Sequence, residues 1–315
     1  MDVLGIDVSK DDFHACLLQD RRHAAKSFPN STAGYRQLQR WLNNRRCTEV
    51  HACMEATGGY WLSLATALVE AGIMVSVVNP SRTALFARSL LRRTKTDRVD
   101  AEMIAQFCRT QSPPLWTPPP PEMLQLRGFL TYREHLVEQR VRLEQLAGQI
   151  QVTDELRRMH ERQLTELKQA ITAIEAQMRA FSHDHPRLAA SIARLNAVEG
   201  FGFLSAAELV SGLPVERLRN DKAAAAYVGL APRERQSGTS IHGRPRICKI
   251  GDGRLRKALY MPALSAMRHN PILRAFAERL MAKGKPPKVV VIAVMRKLVV
   301  LAYHLLSQLP TPDAA

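Results

Sequence analysis

Nowhere in the 315 residues is there an uninterrupted apolar run approaching the roughly 18 residues that a membrane helix requires, so no membrane role is expected. The opening Met1-Asp2-Val3-Leu4-Gly5 lacks a basic segment ahead of its apolar residues, and a secretory signal is not expected there. Cysteine is scarce: Cys16, Cys47, Cys53, Cys108 and Cys248 form no C-x-x-C pair. That spacing argues against a structural zinc site or a disulfide framework and fits a reducing cytoplasm. No internal repeat is found. Acid is scarce only toward one end. Residues 1–110 carry 15 Lys/Arg against 11 Asp/Glu, residues 111–220 carry 13 against 13, and residues 221–315 carry 17 against 5. The net charge of +16 is therefore concentrated, with +12 of it in the last third. Such a surface suits a polyanion whose counterions are released on binding, and nucleic acid fits better than a membrane surface because no basic amphipathic helix stands out.

Hydrophobic residues make up 46% of the chain, enough for a real core, and the length accommodates two domains. Residues 2–8, 12–18 and 23–28 alternate as short strands, and a helix follows at about 32–45. A strand at 50–55 leads to a helix opened near Gly58-Gly59, a continuous apolar strand covers 73–78, and helices follow at about 81–91 and 97–110. Three strands followed by strand–helix alternation predict a mixed α/β sheet in the ribonuclease-H-like order, over a domain spanning 1–111. The proline-rich stretch from Ser112 to Pro121 ends it as a stiff linker. Residues 122–182 are helical in composition. Leu136, Leu143, Ile150, Leu164, Ile171 and Met178 share one heptad register, with Leu146, Leu167, Ile174 and Phe181 at the second seam position. Thr153, Arg157 and His160 interrupt that seam, which leaves either a helical hairpin or one long helix with a polar waist. The segment is expected to act as a coiled coil joining subunits, against the plainer reading of packing within one chain.

A third region, 187–310, is expected to be mainly α-helical and basic. Residues 195–206 resemble a helix-hairpin-helix, in which Gly200 and Gly202 would turn backbone N–H groups toward a phosphate, though a plain inter-helix turn also fits. Residues 222–230 read as helix, 231–251 as a Gly/Pro/Arg-rich loop or arm, and 253–308 as three apolar-periodic helices.

Four acids stand out. Asp7 sits at the end of the first strand, and Glu55 ends a later apolar strand just before Ala56-Thr57-Gly58-Gly59. A carboxylate at such a buried strand end is costly unless it has a partner. Asp97 and Asp100, within Lys95-Thr96-Asp97-Arg98-Val99-Asp100, project from one face at a helix start. Singly, each also fits as a turn, capping or helix-dipole residue. Together they form an all-oxygen donor set of the kind that holds two hard divalent ions, Mg²⁺ or Mn²⁺, for phosphodiester displacement. Glu102 would point elsewhere, and His14 and His51 are expected to be satisfied structural residues. An aspartate at the first strand also begins sugar kinases of the actin-like fold. The bulky, acidic Lys10-Asp11-Asp12-Phe13 leaves no phosphate hairpin, which excludes them.

The stretch from Ala231 to Arg256 holds seven basic and two acidic residues. Arg233, Arg235, Arg244, Arg246, Lys249 and Arg254 are candidate phosphate contacts. Among them, a hydroxyl in Gln236-Ser237-Gly238-Thr239-Ser240 could attack a phosphoryl group, although Ser237-Gly238 alone also reads as a turn.

At this point the chain resembles the insertion-sequence transposases of the DEDD type, serine-bearing recombinases guided by a bridge RNA. The residues that carry the likeness are Gly-Ile-Asp-Val-Ser-Lys, Met-Glu-Ala-Thr-Gly, Lys-Thr-Asp-Arg-Val-Asp-Ala, Gly-Leu-Ala-Pro-Arg, Gln-Ser-Gly and Gly-Asp-Gly-Arg-Leu-Arg. The resemblance implies a RuvC-like catalytic domain with Asp7, Glu55, Asp97 and Asp100 as its acids and Ser237 as nucleophile, with Ser240 the weaker choice. It also implies Mg²⁺ or Mn²⁺, a homo-oligomer (dimer or tetramer) assembled through the coiled coil, DNA partners at element ends and targets, and a guide RNA. The rival readings are a Holliday-junction-type nuclease using the same acids with water, and a non-catalytic nucleic-acid-binding protein.

Overall fold

The computed structural model describes residues 1–308 apart from Arg21, 91–95, 149–152 and 238–240, and for 233–246 it describes backbone only. The chain divides into two compact units, Met1–Pro119 and Pro120–Ala315.

In the first unit, strands β1 (Asp2–Val8), β2 (Asp12–Gln19) and β3 (Arg22–Pro29) precede helix α1 (Thr32–Asn43). Then come β4 (Val50–Glu55), α2 (Trp61–Glu70), β5 (Met74–Val78), α3 (Pro80–Ser89) and α4 (Asp97–Gln111). The sheet order is β3-β2-β1-β4-β5. The β1–β2 and β2–β3 pairs are antiparallel, whereas β4 and β5 join parallel to β1. This is the ribonuclease-H-like arrangement expected from the order of periodicities. Strand alternation gives the sheet two apolar faces. Leu4, Ile6, Phe13, Leu17, Ala52 and Met54 pack toward α1 and α2 through Leu38, Trp41, Leu64 and Leu68. Val3, Cys16, Leu18 and Cys53 pack toward α4 through Ala101, Ile104, Ala105 and Cys108.

The proline-rich stretch belongs to this unit. The Ser76 hydroxyl lies 3.0 and 2.9 Å from the Pro113 and Pro114 carbonyls, the Trp116 N–H donates to the Val75 carbonyl, and Trp116 packs edge-on to Trp61. It is therefore a pinned strap along β5 rather than a free spacer.

The position of α4 depends on one glycine. A Cβ placed on Gly5 would lie 2.1 Å from the Ala101 carbonyl oxygen and 2.3 Å from the Ala105 nitrogen. The helix backbone thus lies directly on β1, closer than any side chain permits.

In the second unit, α5 (Pro121–Ala147) and α6 (Asp154–His183) form a helical hairpin, which resolves the heptad segment as two helices. The expected boundary at 182 does not separate a free coiled coil. Leu126, Leu130 and Met178 at the hairpin's base are buried in the same core as the helices that follow. The heptad stripe divides accordingly: Leu136 and Ile171 are buried, whereas Val141, Leu146, Leu156 and Met159 near the tip are exposed. Ile150 lies outside the described residues. Helices α7 (Pro186–Asn196), α8 (Phe203–Gly212) and α9 (Asp221–Tyr227) come next, with a 3-10 turn at Val215–Arg217 between the last two. The arm read as loop is a two-stranded antiparallel hairpin, β6 (Pro232–Ser237) with β7 (Ile241–Ile247). Four helices close the unit rather than three: α10 (Gly253–Ala258), α11 (Tyr260–His269), α12 (Pro271–Ala282) and α13 (Pro287–Ser307). Helix α13 is long and apolar enough by composition to cross a membrane, yet Val290, Val294, Leu298, Val299 and Ala302 are fully buried at the centre of this core.

All three tryptophans lie in the first unit, so their fluorescence reports its unfolding selectively. In urea denaturation followed this way, Gly5→Ala is expected to destabilise the unit by at least about 2 kcal/mol, because backbone cannot yield as a side-chain tip can. Gly59→Ala, whose added carbon meets nothing within 4 Å, is the control and should change little.

Candidate active site

Alternation along β1 and β4 decides where the first two acids point. Val3 and Gly5 face α4, so Asp7, two residues on, shares that face. Cys53 also faces α4, so Glu55 follows suit. Ile6 pairs with Met54, which puts Asp7 and Glu55 side by side at the carboxyl ends of neighbouring parallel strands. Helix α4 then brings its first turn over the same edge. Thr96 caps it, its hydroxyl accepting the Val99 N–H at 3.4 Å, and Asp97 and Asp100 occupy the opening turn.

The electrostatics follow from that geometry. The Asp7 carboxyl is raised from its ordinary 3.8 to about 6, first by burial and then by repulsion from Asp100, Glu55 and Asp97, with His14 acting in the opposite sense. Three acids from two other elements, β4 and α4, thus act on one carboxyl of β1. The set is charge-coupled but not closed: among the described residues no three His, Cys, Asp or Glu side chains converge on a point that could hold one ion. The donor chemistry, all hard oxygen with one member held partly protonated by its neighbours, matches a divalent cation.

Glu55 is held from two sides by hydroxyls that the sequence reading did not single out. The buried Thr83 Oγ1 on α3 donates to Glu55 Oε1 at 2.5 Å, and Thr57 Oγ1 donates to Oε2 at 3.4 Å. A signal existed for Thr83: Glu55 pairs with Val78 on β5, and α3 starts two residues later, so its first turn must pass the glutamate. His51 is the satisfied residue expected, with Nε2 2.7 Å from the Ser76 hydroxyl. It belongs to a buried polar string in which Cys53 hydrogen-bonds Cys108, raising the first thiol's pKa and lowering the second's. His14 departs from expectation. It forms no hydrogen bond among the described residues and lines an open cleft beside β2 and β3.

In the second unit, Ser237 is the last residue of β6 and pairs with Ile241 across the arm's hairpin. Its side chain and those of Arg233, Arg235, Arg244 and Arg246 are outside the described residues, as are Gly238 to Ser240 entirely. Lys249 is exposed, with a left-handed backbone (φ 55°). Arg254 must be removed from the candidate phosphate contacts. Its guanidinium grips Glu208 at 2.7 and 2.9 Å and reaches the Thr131 hydroxyl at 2.7 Å, so it ties α10 to α8 and α5. The two glycines between α7 and α8 also separate. Gly200 (φ 117°) is required by packing, since a Cβ there would meet the Ala266 methyl at 2.7 Å. Gly202 faces open space, but its N–H already donates to the Ser205 Oγ at 3.0 Å.

The chain matches the family model described as a DEDD transposase of the IS110 type over residues 4–153, which contain all four acids. Over residues 192–278, which contain Ser237, it matches "Transposase IS116/IS110/IS902 family". It is 32% identical over 314 residues to the "Pilin gene-inverting protein" of Moraxella bovis, covering 97% of this chain and 95% of that one. The chain belongs to the IS110 family of transposases. It is thus a DNA-recombining enzyme, as the motifs implied. A second relative, "Insertion element IS110 uncharacterized 43.6 kDa protein" of Streptomyces coelicolor, is 30% identical over 145 residues, 45% of this chain and 34% of that one. The RuvC structure of T. thermophilus in complex with a Holliday junction substrate aligns with 15% identity and a TM-score of 0.28, over 37% of this chain and 99% of that one. That superposition is too loose to bear on the transposase's chemistry.

The raised Asp7 carboxyl makes the transposase's stability fall with pH. Between about 4 and 6 the folded state holds a proton that the unfolded state has released, so stability declines as pH rises through that window. Without divalent ions, Asp7→Asn should therefore stabilise the first unit at neutral pH, with the difference vanishing below pH 4. The half-buried position screens the effect to the order of 1–2 kcal/mol. Thermal melts across pH, with and without Mg²⁺, provide the check. The ion should raise the wild-type melting temperature above pH 6 and leave Asp7→Asn largely unmoved.

Proposed function

We propose that this transposase cleaves and exchanges DNA strands for insertion-sequence mobility, using two centres. Asp7, Glu55, Asp97 and Asp100 hold divalent ions, Mg²⁺ or Mn²⁺, and Ser237 is the nucleophile. The observation that carries the reading is the convergence of four acids from β1, β4 and α4 on one strand edge, felt as the raised Asp7 carboxyl. The chemistry such ions supply is stabilisation of the attacking and leaving oxygens of a phosphodiester.

The chain's own residues do the rest. Thr83 and Thr57 fix the Glu55 carboxylate, and Gly5 lets α4 set Asp97 and Asp100 against Asp7. In the chemical step the Ser237 Oγ gives up its proton and bonds to phosphorus, while the bond from phosphorus to a deoxyribose oxygen breaks and that oxygen takes a proton. The serine ester keeps the phosphodiester's energy, so a deoxyribose hydroxyl of another strand can reverse the step and rejoin DNA without an outside energy source. Arg233, Arg235, Arg244 and Arg246 on the arm would neutralise the phosphoryl oxygens. The Moraxella bovis relative's name, a gene-inverting protein, fits the same strand exchange. A bridge RNA pairing with element ends and target completes the proposal, together with cytoplasmic action on chromosomal DNA.

Ser237→Ala should abolish a covalent protein–DNA adduct while leaving folding and DNA affinity nearly intact, since the arm adds little to the core. Asp100→Asn should abolish cleavage through weakened ion binding. Mixing the two variants should restore partial activity if the two centres meet across subunits. The measurement is denaturing electrophoresis of labelled DNA. Cleavage by Ser237→Ala at the wild-type rate would make water the nucleophile and the protein a nuclease.

Oligomerisation is proposed to run through the hairpin tip. There Leu146 is 44% and Met159 57% exposed, beside a cavity of about 410 Å³ lined by Leu143, Ala147 and Leu156. Replacing Leu146 and Met159 with glutamate should lower the mass seen by light scattering and leave the fold unchanged. Replacing the buried Ile171 should instead unfold the hairpin's base.

A further inference from the structure

We infer that the cleft between the β2–β3 ribbon and the start of α4 holds the DNA phosphate next to the one being attacked, so that the cleaved strand crosses the sheet edge from β4 toward β3. This rests on the four-acid reading and adds a binding subsite to it.

The cleft has a volume of about 250 Å³ and is lined by His14, Ala15, Ala25, Ser27, Arg98 and Ala101, with Lys26 contributing backbone. Register decides which side chains enter it. His14 is the cross-strand partner of Asp7 on β2, and Ser27 is the partner of His14 on β3. Asp7, His14 and Ser27 therefore form a row across three strands on the α4 face, with Asp7 at one end. Strand spacing puts the far members about 5 and 10 Å from Asp7. Lys26 points to the other face, where its ammonium sits 5.4 Å from the Phe28 ring centroid. Arg98 descends from α4 onto this row, and its charge acts on the Cys16 thiol of β2.

Three features make this an anion site rather than a lining of chance polar groups. An imidazole, a hydroxyl and a guanidinium converge, and all three are groups that donate to phosphate oxygens. None of the three has a hydrogen bond or ion pair among the described residues, although acids lie within one strand of them. Arg98, exposed and next in sequence to Asp97 yet with no side-chain partner among the described residues, is left available for a ligand. The floor is Ala25 and Ala101, small residues that leave room for a backbone to approach.

The test measures the binding of a fluorescein-labelled DNA duplex to the full-length protein by anisotropy across a salt series, in an Asp7→Asn background that prevents cleavage. Arg98→Gln should reduce the slope of log K against log salt by about 0.9, the value of one phosphate contact. Arg98→Lys should restore it. Arg88→Gln, an exposed arginine on α3 away from the row, should leave the slope unchanged. In the cleavage-competent protein, Arg98→Gln and Ser27→Ala should raise KM several-fold more than they lower kcat. An unchanged slope for Arg98→Gln, an equal loss for Arg88→Gln, or a loss seen with RNA but not DNA would each overturn the proposal. The four-acid reading fails separately, if Asp7→Asn cleaves DNA as well as the wild type does.

Discussion

The catalytic unit depends on the absence of one side chain. With no Cβ at Gly5, the backbone of α4 lies directly on β1, and the distance from Asp7 to the first turn of that helix is set by covalent geometry and backbone contact. Side chains can repack when a neighbour changes, but two backbones in contact cannot. The contact places two carboxylates over the strand edge where two others already end. The apolar face that follows along α4, Ala101, Ile104, Ala105 and Cys108, holds the arrangement by burial. The acids themselves oppose it.

That opposition is what prepares the site. Burial and the charges of Asp100, Glu55 and Asp97 raise the Asp7 carboxyl to about 6. On the proposed function, a divalent ion would relieve that repulsion and convert it into affinity. Thr83 and Thr57 limit how far Glu55 can swing away while the site waits. The proposed cleft with His14, Ser27 and Arg98 lies beside the acids, with His14 and Ser27 one and two strands from Asp7, near enough to hold the same DNA strand.

The N-terminal sheet was legible from the order of its elements. β1, β2, β4 and β5 are short, largely apolar runs buried on both faces, and the order of three strands followed by strand–helix alternation marks the passage from antiparallel to parallel pairing. The four acids were legible because strand ends and a helix start are positions where a sequence shows which way a residue points. Thr83 and His14 were not, since their roles depend on cross-strand register, which no local pattern encodes. The arm was missed as a hairpin for a different reason. The arginine-rich sequence of β6 and β7 carries no apolar period that could announce a strand pair. Arg254 looked like another phosphate clamp because charge alone does not show that Glu208, 46 residues earlier, is already its partner. Of the heptad positions, Leu136, Ile171 and Met178 serve an internal core, whereas Leu146 toward the tip is exposed.

Helix α13 adds a dimension of time. The second unit's core gathers residues from Leu126 to Leu306 around Val290, Val294, Leu298 and Ala302, so nothing in it can close until the last of these has been synthesised. The first unit needs only residues up to the strap at Trp116 and can fold while the remainder is still being made. During that interval the nascent protein already presents the four carboxylates, while the serine-bearing arm has no folded unit to carry it. On the proposed mechanism, the order of synthesis would separate the ion-binding half of the chemistry from the covalent half, and a truncated product would hold the acids without the Ser237 hydroxyl.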